Sequence, residues 1–443
     1  MGFQPFHYAN LGELRADCAA QGQALEFSDD LGALAEPARV GNYTVANRLL
    51  VHPMEGSDGE TDGRPGELTL RRFDRFAQGG AGTIWYEAVA VVPEARAQAR
   101  QLWLHKGNLD AFKAQVERII TGARKAGARQ DPLLIVQLTH SGRFSKPEGK
   151  PAPILACHDP YLDGRFKVPA DYPVLSDDQL EALEDRFAET ALLAKQAGFH
   201  GVDLKACHRY LNSELLSAFT REGRYGGSFE GRTRFLLNVA DKVRGAVGGN
   251  TLLASRLNIY DGIQWPYGWG VDREDVLKPD LTEPLKLIAL LKEKGVRLVN
   301  VTMGTPYYNP HVNRPYDKGG YVPEEHPLVG VARLTNGIAE VQRANPDIAI
   351  VGTGYSWLRQ FGPQFAAANV GAGRATLIGF GRQAFAYPDF ARDILENGGF
   401  RREKCCVACG KCAELLRAGG PAGCVVRDAA AYVPHYRNLT QSK

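Results

Sequence analysis

The segment SDDQLEALEDRFAETALLAKQAGFHGVDLKACHRYL, residues 176–211, contains the structural unit that decides the fold. Ser176 and Gln179 have the spacing of a helix-capping box, and Gly198 is a helix stop signal. The run GVDLKAC (201–207) is short and apolar, which is typical of a strand buried on both faces. The segment predicts a helix followed by a buried parallel strand. The apolar stripe of the helix consists of Leu180, Leu183, Phe187 and Ala191.

Seven further apolar runs of this kind occur along the chain, with helix-period segments between them. Eight alternations of strand and helix predict a (β/α)8 barrel within the α/β class. A doubly wound sheet is the structural alternative, but no Gly-x-Gly-x-x-Gly turn follows any run, which favours the barrel. The seven runs are NRLLVHPM (47–54), GTIWYEAVAV (82–91), LLIVQLTH (133–140), LLASRLN (252–258), LVNVTMG (298–304), IAIVGTG (348–354) and TLIGFGR (376–382).

Composition limits the partners that we expect. The chain has 443 residues with 53 basic and 50 acidic side chains, a net charge of +3. This balance predicts neither nucleic acid nor an anionic membrane as a partner. No apolar run is long enough for a transmembrane helix, and the N-terminus lacks the pattern of a signal peptide. We therefore expect a cytoplasmic protein with reduced thiols.

The sequence suggests three regions. Residues 1–37 are expected to form an N-terminal extension, 38–398 the barrel, and 399–443 a cysteine-rich segment with a short tail. Three long inserts are rich in Pro, Tyr, Trp and Gly and could form a substrate lid. They span about 141–176, 259–280 and 305–330.

The last two predicted strands end in glycines and an arginine. Gly352 and Gly354 close one strand, and Gly381 and Arg382 close the next. Glycines let backbone N–H groups approach an anion, and barrels often bind phosphate at this position. The pattern favours a phosphate site over plain turn glycines beside a surface arginine.

Three other strand ends carry polar residues suited to redox chemistry. Gln137 and Arg256 could bind the pyrimidine edge of a flavin, or form an internal salt bridge or hydrogen bond instead. Lys205 and His208 can polarise a carbonyl oxygen, and Tyr210 can deliver a proton to a carbanion. The alternative is a buried core histidine beside a packing aromatic, but the three together favour chemistry.

These motifs resemble the Old Yellow Enzyme family of FMN-dependent oxidoreductases. The resemblance covers about residues 38–428 and is most specific from Ala197 to Phe235. It implies a (β/α)8 barrel with FMN at the mouth, Lys205 and His208 as the substrate-orienting pair, and Tyr210 as proton donor. The residues implied to bind FMN are Pro53, Met54, Ala88, Gln137, Arg256, Gly352, Gly354, Gly381 and Arg382.

The cysteine-rich segment resembles the iron–sulfur branch of that family, which includes trimethylamine dehydrogenase and bacterial 2,4-dienoyl-CoA reductase. The resemblance implies a [4Fe–4S] cluster bound by the four cysteines of a C-x2-C-x2-C-x11-C pattern. A ligand set with Cys405 in place of Cys406, a zinc site and unbound thiols are the alternatives. The four implied ligands are Cys406, Cys409, Cys412 and Cys424.

The chain departs from that branch in four ways. No dinucleotide-binding half follows Asp428, so the cluster is expected to exchange electrons with a separate protein or to be structural. Lys205 replaces the usual His or Asn, and either favours a carboxylate or thioester substrate or is held by a nearby acid. Glu55 would disfavour an electron-rich flavin unless it is turned away or protonated. Because no cysteine lies in this stretch, FMN should be noncovalent.

Two enzymatic functions and one non-catalytic role are compatible with these residues. The first is an ene-reductase that transfers hydride from FMN N5 to an α,β-unsaturated carbonyl compound, with NAD(P)H as a possible donor. The second is an amine dehydrogenase or N-demethylase that passes electrons through the cluster to a partner protein. A non-catalytic electron-transfer subunit is the third, and family resemblance suggests a homo-oligomer. Aromatic residues that could cage a methylated ammonium are Trp265, Tyr267, Trp269, Tyr307 and Tyr308.

Overall fold

The computed structural model describes residues 2–441 and contains a closed barrel of eight parallel strands. The first barrel strand pairs with both the second and the last, so the sheet has no free edge. The predicted (β/α)8 barrel is confirmed, and the open doubly wound sheet is wrong. Seven of the eight predicted runs contain one strand each, and the run 298–304 overlaps β8, which begins two residues earlier. The barrel strands are β3 (Leu49–Val51), β4 (Thr83–Ala90), β5 (Leu133–Thr139), β6 (Gly201–Leu204), β7 (Leu252–Asn258), β8 (Val296–Thr302), β9 (Ala349–Gly352) and β10 (Leu377–Phe380), preceded by β1 (Ala38–Val40) and β2 (Tyr43–Val45).

Helices surround the barrel and fill its connections. The predicted capping box is present at the start of the longest one, since Ser176 Oγ accepts from Gln179 N at 3.2 Å and Ser176 N donates to Gln179 Oε1 at 2.8 Å. The helices are α1 (Leu11–Ala20), α2 (Gly32–Ala35), α3 (Glu67–Ala77), α4 (Leu109–Lys125), α5 (Pro160–Phe166), α6 (Asp177–Gln196), α7 (Leu211–Leu216), α8 (Phe229–Val247), α9 (Thr282–Glu293), α10 (Pro310–Asn313), α11 (Pro327–Ala344), α12 (Gly362–Gly371), α13 (Arg382–Ala386), α14 (Phe390–Asn397), α15 (Lys411–Arg417) and α16 (Ala429–Gln441).

The hairpin β1–β2 closes the N-terminal end of the barrel. Val40 and Val45 are buried there in one apolar cluster with inward-facing strand residues such as Leu50 and Trp85. Sequence reasoning missed this hairpin because strands of three residues are too short to show a period. The opposite, C-terminal end is left for the long connections.

Residues before β1 pack over that C-terminal end. The ring of Phe6 lies edge-on to Trp357 at 5.5 Å between centroids, and Phe6 N donates to Asp317 Oδ1 at 3.1 Å. The N-terminal residues thereby contact the loops that follow β8 and β9. The division of the chain into three domains stays a prediction.

The cysteine segment, residues 399–428, packs against the barrel beside α3. Asp428 accepts hydrogen bonds from Arg71 at 2.7 and 2.8 Å and from Arg75 at 2.5 Å. Ala422 N donates to Gly56 O at 2.7 Å, in the loop after β3. The segment therefore reaches the rim where the strands end. Within residues 2–441, no helix has the length and apolar character needed to cross a membrane.

Candidate active site

A cavity opens at the C-terminal ends of the barrel strands, where barrel enzymes carry their chemistry. Most of the residues predicted for the site line it. Ala88 and Gly352 instead lie in the barrel wall, so their contact with a cofactor stays a prediction. The predicted residues around the cavity are Pro53, Met54, Gln137, Lys205, His208, Tyr210, Arg256, Gly354, Gly381 and Arg382.

Three arginines converge on one side of the cavity, and we call them the arginine pole: Arg314, Arg382 and Arg417. Burial, together with the nearby charges of Arg382 and Arg417, lowers the pKa of Arg314 to about 10. None of the three forms an ion pair with a carboxylate in residues 2–441. A group of cations without counterions from the protein is a candidate binding site for an anion.

Two glycines at this pole are required by geometry. Gly354 has a φ of +98°, a backbone conformation that L side chains rarely adopt. A Cβ at Gly381 would lie 2.7 Å from Met54 Sδ. Both positions leave backbone close to the cavity, which supports the predicted role of these strand ends.

Buried polar atoms without partners face the same cavity. Gln137 Oε1, Arg256 Nε and His208 Nε2 have no hydrogen-bond partner among the described residues. Asp203 orients the side-chain amide of Gln137, because Gln137 Nε2 donates to Asp203 Oδ2 at 2.6 Å. Asp203 also accepts from Arg256 N at 2.6 Å, and burial raises the pKa of its carboxyl to about 6. The cavity therefore presents an acceptor and donors to a polar ligand.

The turn after β6 holds an unusual backbone. His208 and Arg209 are consecutive non-glycine residues with φ of +65° and +61°. The guanidinium of Arg209 is 1% exposed and bonds Asp159 at 2.6 Å and Asp261 at 3.1 Å, one from each of two inserts. These buried bonds stabilise the left-handed turn that places His208 beside the cavity.

Lys205 and Glu55, which also line the cavity, form an ion pair that we call the charge pair. Lys205 Nζ donates to Glu55 Oε1 at 2.6 Å, and the side chains are 2% and 13% exposed. Lys205 Nζ also lies 3.8 Å from the centroid of the Tyr210 ring, a cation–π contact. The sequence left two interpretations of Lys205 open, and the structure favours the one in which a nearby acid, Glu55, holds its side chain.

The loop that carries Glu55 is fixed from strand β4. Gly56 N donates to Glu87 Oε2 at 2.8 Å, and Glu87 forms a buried network with Arg72 and Asp58. A Cβ at Gly56 would lie 2.2 Å from Arg72. The hydrogen bond from Gly56 N to Glu87 therefore fixes the backbone next to Glu55 and keeps Glu55 at the cavity.

Tyr210 has a phenolic partner that sequence reasoning did not assign. Its hydroxyl lies 2.9 Å from that of Tyr307, whose ring stacks on Phe144 at 3.8 Å. Burial raises the pKa of the Tyr210 phenol well above its ordinary value, and Glu55 adds to the effect. Tyr210 is therefore a protonated phenol at neutral pH.

Four cysteines of the cysteine segment line one small second cavity. They are the predicted set, whereas Cys405 lies outside it with its Sγ 3.4 Å from Arg401 O. Cys412, Arg382 and Phe385 line both cavities. In residues 2–441 no three His, Cys, Asp or Glu side chains are grouped closely enough to hold a single metal ion. The four that share the cavity are Cys406, Cys409, Cys412 and Cys424.

Comparison with known proteins identifies the family. The chain matches the NADH:flavin oxidoreductase / NADH oxidase family over residues 33–398, most of its length. The chain belongs to this family. Members are flavin-dependent NAD(P)H oxidoreductases, so family membership implies FMN and NAD(P)H.

Individual relatives agree with that family assignment. NADH oxidase of Thermoanaerobacter brockii is 26% identical over 387 residues, which cover 84% of this chain and 52% of that protein. NADPH dehydrogenase of Bacillus pumilus strain SAFR-032 is 30% identical over 277 residues, 61% of this chain and 73% of that protein. The chain spans about half the length of the NADH oxidase.

A solved structure shows the same fold. The complex of 2-naphthoyl-CoA reductase with 2-naphthoyl-CoA superimposes with a TM-score of 0.70 at 20% identity. The match covers 92% of this chain and 58% of that one. At this identity the likeness concerns the fold alone.

The cavity of this family member fits FMN by its own chemistry. The arginine pole lacks an anion, and a phosphate would supply one. Gln137 Oε1 is an acceptor, and Arg256 is a donor, for the polar edge of a flavin. Both observations are independent of the family match.

Sequence reasoning missed several residues of this site. Arg314 follows the short helix α10, and Arg417 ends α15 within the cysteine pattern; nothing in the sequence linked either residue to the cavity. Tyr307 was considered only as part of an aromatic cage. Of the five cage candidates it alone lines the cavity, and Trp269 is fully buried with its Nε1 donating to Asn258 O at 3.0 Å. The packing role is therefore favoured for the other four.

Proposed function

We propose that this protein is an FMN-dependent ene-reductase that uses NAD(P)H to reduce an α,β-unsaturated carbonyl compound. The observation that carries the proposal is the pairing of a protonated Tyr210 phenol with the unpartnered Nε2 of His208 at one cavity. When bound, FMN supplies the hydride. The protein's own residues must then bind the carbonyl and deliver the proton.

The proposed FMN site combines the two sets of groups that lack internal partners. Gln137 and Arg256 would hold the flavin's polar edge, and the arginine pole with Gly354 and Gly381 would hold its phosphate. Pro53 and Met54 line the cavity between them. Cys412 is the one cysteine among the described residues that line this cavity, and we assign it below to the cluster, so FMN should be noncovalent.

His208 would polarise the substrate carbonyl as a neutral imidazole. Burial, with the charges of Arg256, Lys205 and Arg314, holds the pKa of His208 well below its usual value. A neutral imidazole with a protonated Nε2 can donate one hydrogen bond to a carbonyl oxygen. Lys205 donates one of its three N–H groups to Glu55 and so supports the site as part of the charge pair.

Tyr210 would deliver a proton to the α-carbon. Its hydroxyl is buried, so the phenolate is disfavoured and the proton is retained until a stronger base appears. Tyr307, 2.9 Å away, is placed to orient that hydroxyl.

An anaerobic titration of FMN-loaded protein with NADH, then NADPH, tests this function. Fast bleaching of the flavin absorption, followed by reoxidation with cyclohex-2-enone, is the expected result. Tyr210→Phe should slow that reoxidation by roughly a hundredfold or more while FMN stays bound. Tyr172→Phe, whose hydroxyl bonds Pro153 O in an insert, is the matched control.

Two results would contradict the proposal. Unchanged reoxidation in Tyr210→Phe would remove this residue from the reaction. Bleaching by dithionite and by methylated amines, but by neither nucleotide, would favour the amine dehydrogenase instead.

We also propose that Cys406, Cys409, Cys412 and Cys424 bind a [4Fe–4S] cluster that exchanges electrons with a partner protein. A cubane binds its cysteines through four different irons, so the thiols stand farther apart than around one zinc ion. This suits four cysteines that share a cavity without forming a single-ion site. Iron and acid-labile sulfide should each reach about four per chain. The iron and sulfide should be lost in Cys406→Ser and retained in Cys405→Ser. The reverse result would make Cys405 the ligand in place of Cys406.

A further inference from the structure

The charge pair occupies the part of the cavity assigned above to the substrate. We propose that Glu55 sets the charge preference of this site: by neutralising Lys205, it selects uncharged carbonyl compounds over carboxylates and ammonium ions. The inference rests on the proposed function, because it assumes that a carbonyl compound binds beside His208 and Tyr210. It makes Glu55 a specificity-determining residue.

The geometry places the counterion inside the protein. Lys205 Nζ and Glu55 Oε1 are 2.6 Å apart, and both side chains are largely withdrawn from solvent. An anionic substrate would have to compete with Glu55 for Lys205. A cationic substrate would have to compete with Lys205 for Glu55. Either exchange leaves a poorly solvated charge unpaired, which is unfavourable.

The pair is held in place without a ligand. Gly56 N is bound to Glu87, which fixes the loop that carries Glu55. The Tyr210 ring lies against Lys205 Nζ on its other side. The charge of Lys205 is thus neutralised by Glu55 before any substrate binds.

The other groups that face the pair add no charge that a substrate must neutralise. His208, Tyr210 and Tyr307 are neutral side chains at pH 7 because burial shifts their pKa values away from neutrality. The backbone N of Arg256 donates to Asp203 Oδ1 at 2.6 Å, whereas its guanidinium forms no ion pair within residues 2–441 and is assigned above to the polar edge of the flavin. The remaining cations belong to the arginine pole, which the FMN phosphate would neutralise.

The test uses ligands of one skeleton and three charges on FMN-loaded protein. Binding of benzamide, benzoate and benzylammonium is followed by perturbation of the flavin absorption spectrum, without turnover. Benzamide should bind at least about tenfold more tightly than either charged ligand. Tighter binding of benzoate or of benzylammonium than of benzamide would overturn the proposal.

Glu55→Gln is the isosteric variant that unmasks Lys205. Benzoate should then bind at least about tenfold more tightly than it binds wild type, while benzamide changes less than about threefold. Lys205→Met is the reciprocal variant and should shift the preference to benzylammonium. The double variant, Glu55→Gln with Lys205→Met, should restore the preference for benzamide. An unchanged benzoate-to-benzamide ratio in Glu55→Gln would overturn the proposal, and either single variant suffices if the other fails to retain FMN.

Failure of this inference differs from failure of the proposed function. If wild type reduces no unsaturated carbonyl compound but shows the predicted ligand ranking, only the ene-reductase activity is wrong. If neutral and anionic enones are reduced alike and the ranking is absent, the activity stands and the role of Glu55 is wrong.

Discussion

The arginine pole and the charge pair both line one cavity, but their cations differ in whether a carboxylate neutralises them. At the arginine pole, Arg314, Arg382 and Arg417 have no carboxylate partner within residues 2–441. At the charge pair, Lys205 is bonded to Glu55 at 2.6 Å. Both groups act on Tyr307: burial raises the pKa of its phenol, Glu55 adds to this effect, and Arg314 and Arg417 oppose it.

The difference shows where a ligand must bring charge. A buried cation is stable only when something neutralises it, either a protein group or a bound anion. At the arginine pole a bound anion would neutralise the cations, whereas at the charge pair Glu55 neutralises Lys205. One cavity can therefore bind an anionic cofactor at one side and an uncharged substrate at the other.

Removing Lys205 should have the largest effect on the protein alone. Lys205→Met leaves the Glu55 carboxylate poorly solvated and unpaired, and we expect a loss of about 3 kcal/mol in the free energy of unfolding. Urea unfolding of the FMN-free protein measures it. Adding Glu55→Gln should recover most of the loss. Lys286→Met breaks an exposed pair with Glu230 and should cost less than about 0.5 kcal/mol; an equal loss in both single variants would contradict a buried charge pair.

Removing a cation from the arginine pole should instead affect the ligand. Arg382→Met should weaken FMN binding by about a hundredfold, because a charge-assisted contact to phosphate is lost. The unfolding free energy of the FMN-free protein should change by less than about 1 kcal/mol, since no carboxylate is left unpaired. Fluorescence titration gives the affinity, and Arg297→Met at the other end of the barrel is the control. A large loss of stability without loss of FMN would reverse the roles of the two sides.

A pH effect should arise between these two sides, at Asp203. Its pKa is raised to about 6, so the carboxylate that orients Gln137 is lost as pH falls through that value. We expect FMN affinity to fall about threefold to tenfold between about pH 7.5 and about pH 5. Phosphate monoesters also titrate near pH 6, so the comparison is with Asp203→Asn, in which only the phosphate contribution should remain.

The free energy of unfolding should also depend on the Asp203 carboxyl, but it should decrease with rising pH, whereas FMN affinity increases. Because the folded pKa lies above the unfolded value of about 3.9, the folded state binds the proton more strongly. The free energy of unfolding should therefore fall as pH rises from about 4 to about 6, and Asp203→Asn should remove this contribution. A variant with the wild-type pH profile would assign both effects to another group.

Salt should give the smallest effect and distinguish the two sides without a mutation. Raising ionic strength should weaken FMN binding by about twofold to threefold, because Arg417 is exposed and salt screens its attraction to the phosphate. Benzamide binding beside the charge pair should not change. Equal salt dependence for both ligands would remove the electrostatic distinction between the sides.

The fold was predictable from the sequence, and part of the site was too. Eight apolar runs and one capping box describe the barrel because buried parallel strands and helix ends leave local patterns. The residues at the strand ends followed from the barrel rule. The charge pair did not follow, since its members are 150 residues apart and only the closed sheet brings them together. Arg314 and Arg417 were not predicted either, because Arg314 follows a four-residue helix and Arg417 ends a seven-residue one, and neither is long enough to show which face meets the cavity.

The wall shared by the two cavities has an evolutionary consequence. Arg382 and Phe385 follow the last barrel strand, Cys412 comes from the cysteine segment, and all three line both cavities. A lineage that lost the cysteine segment would also lose part of the enclosure around its flavin and would have to rebuild it. The proposed cluster site and the proposed cofactor site thus share side chains, so substitutions that change one site should also affect the other.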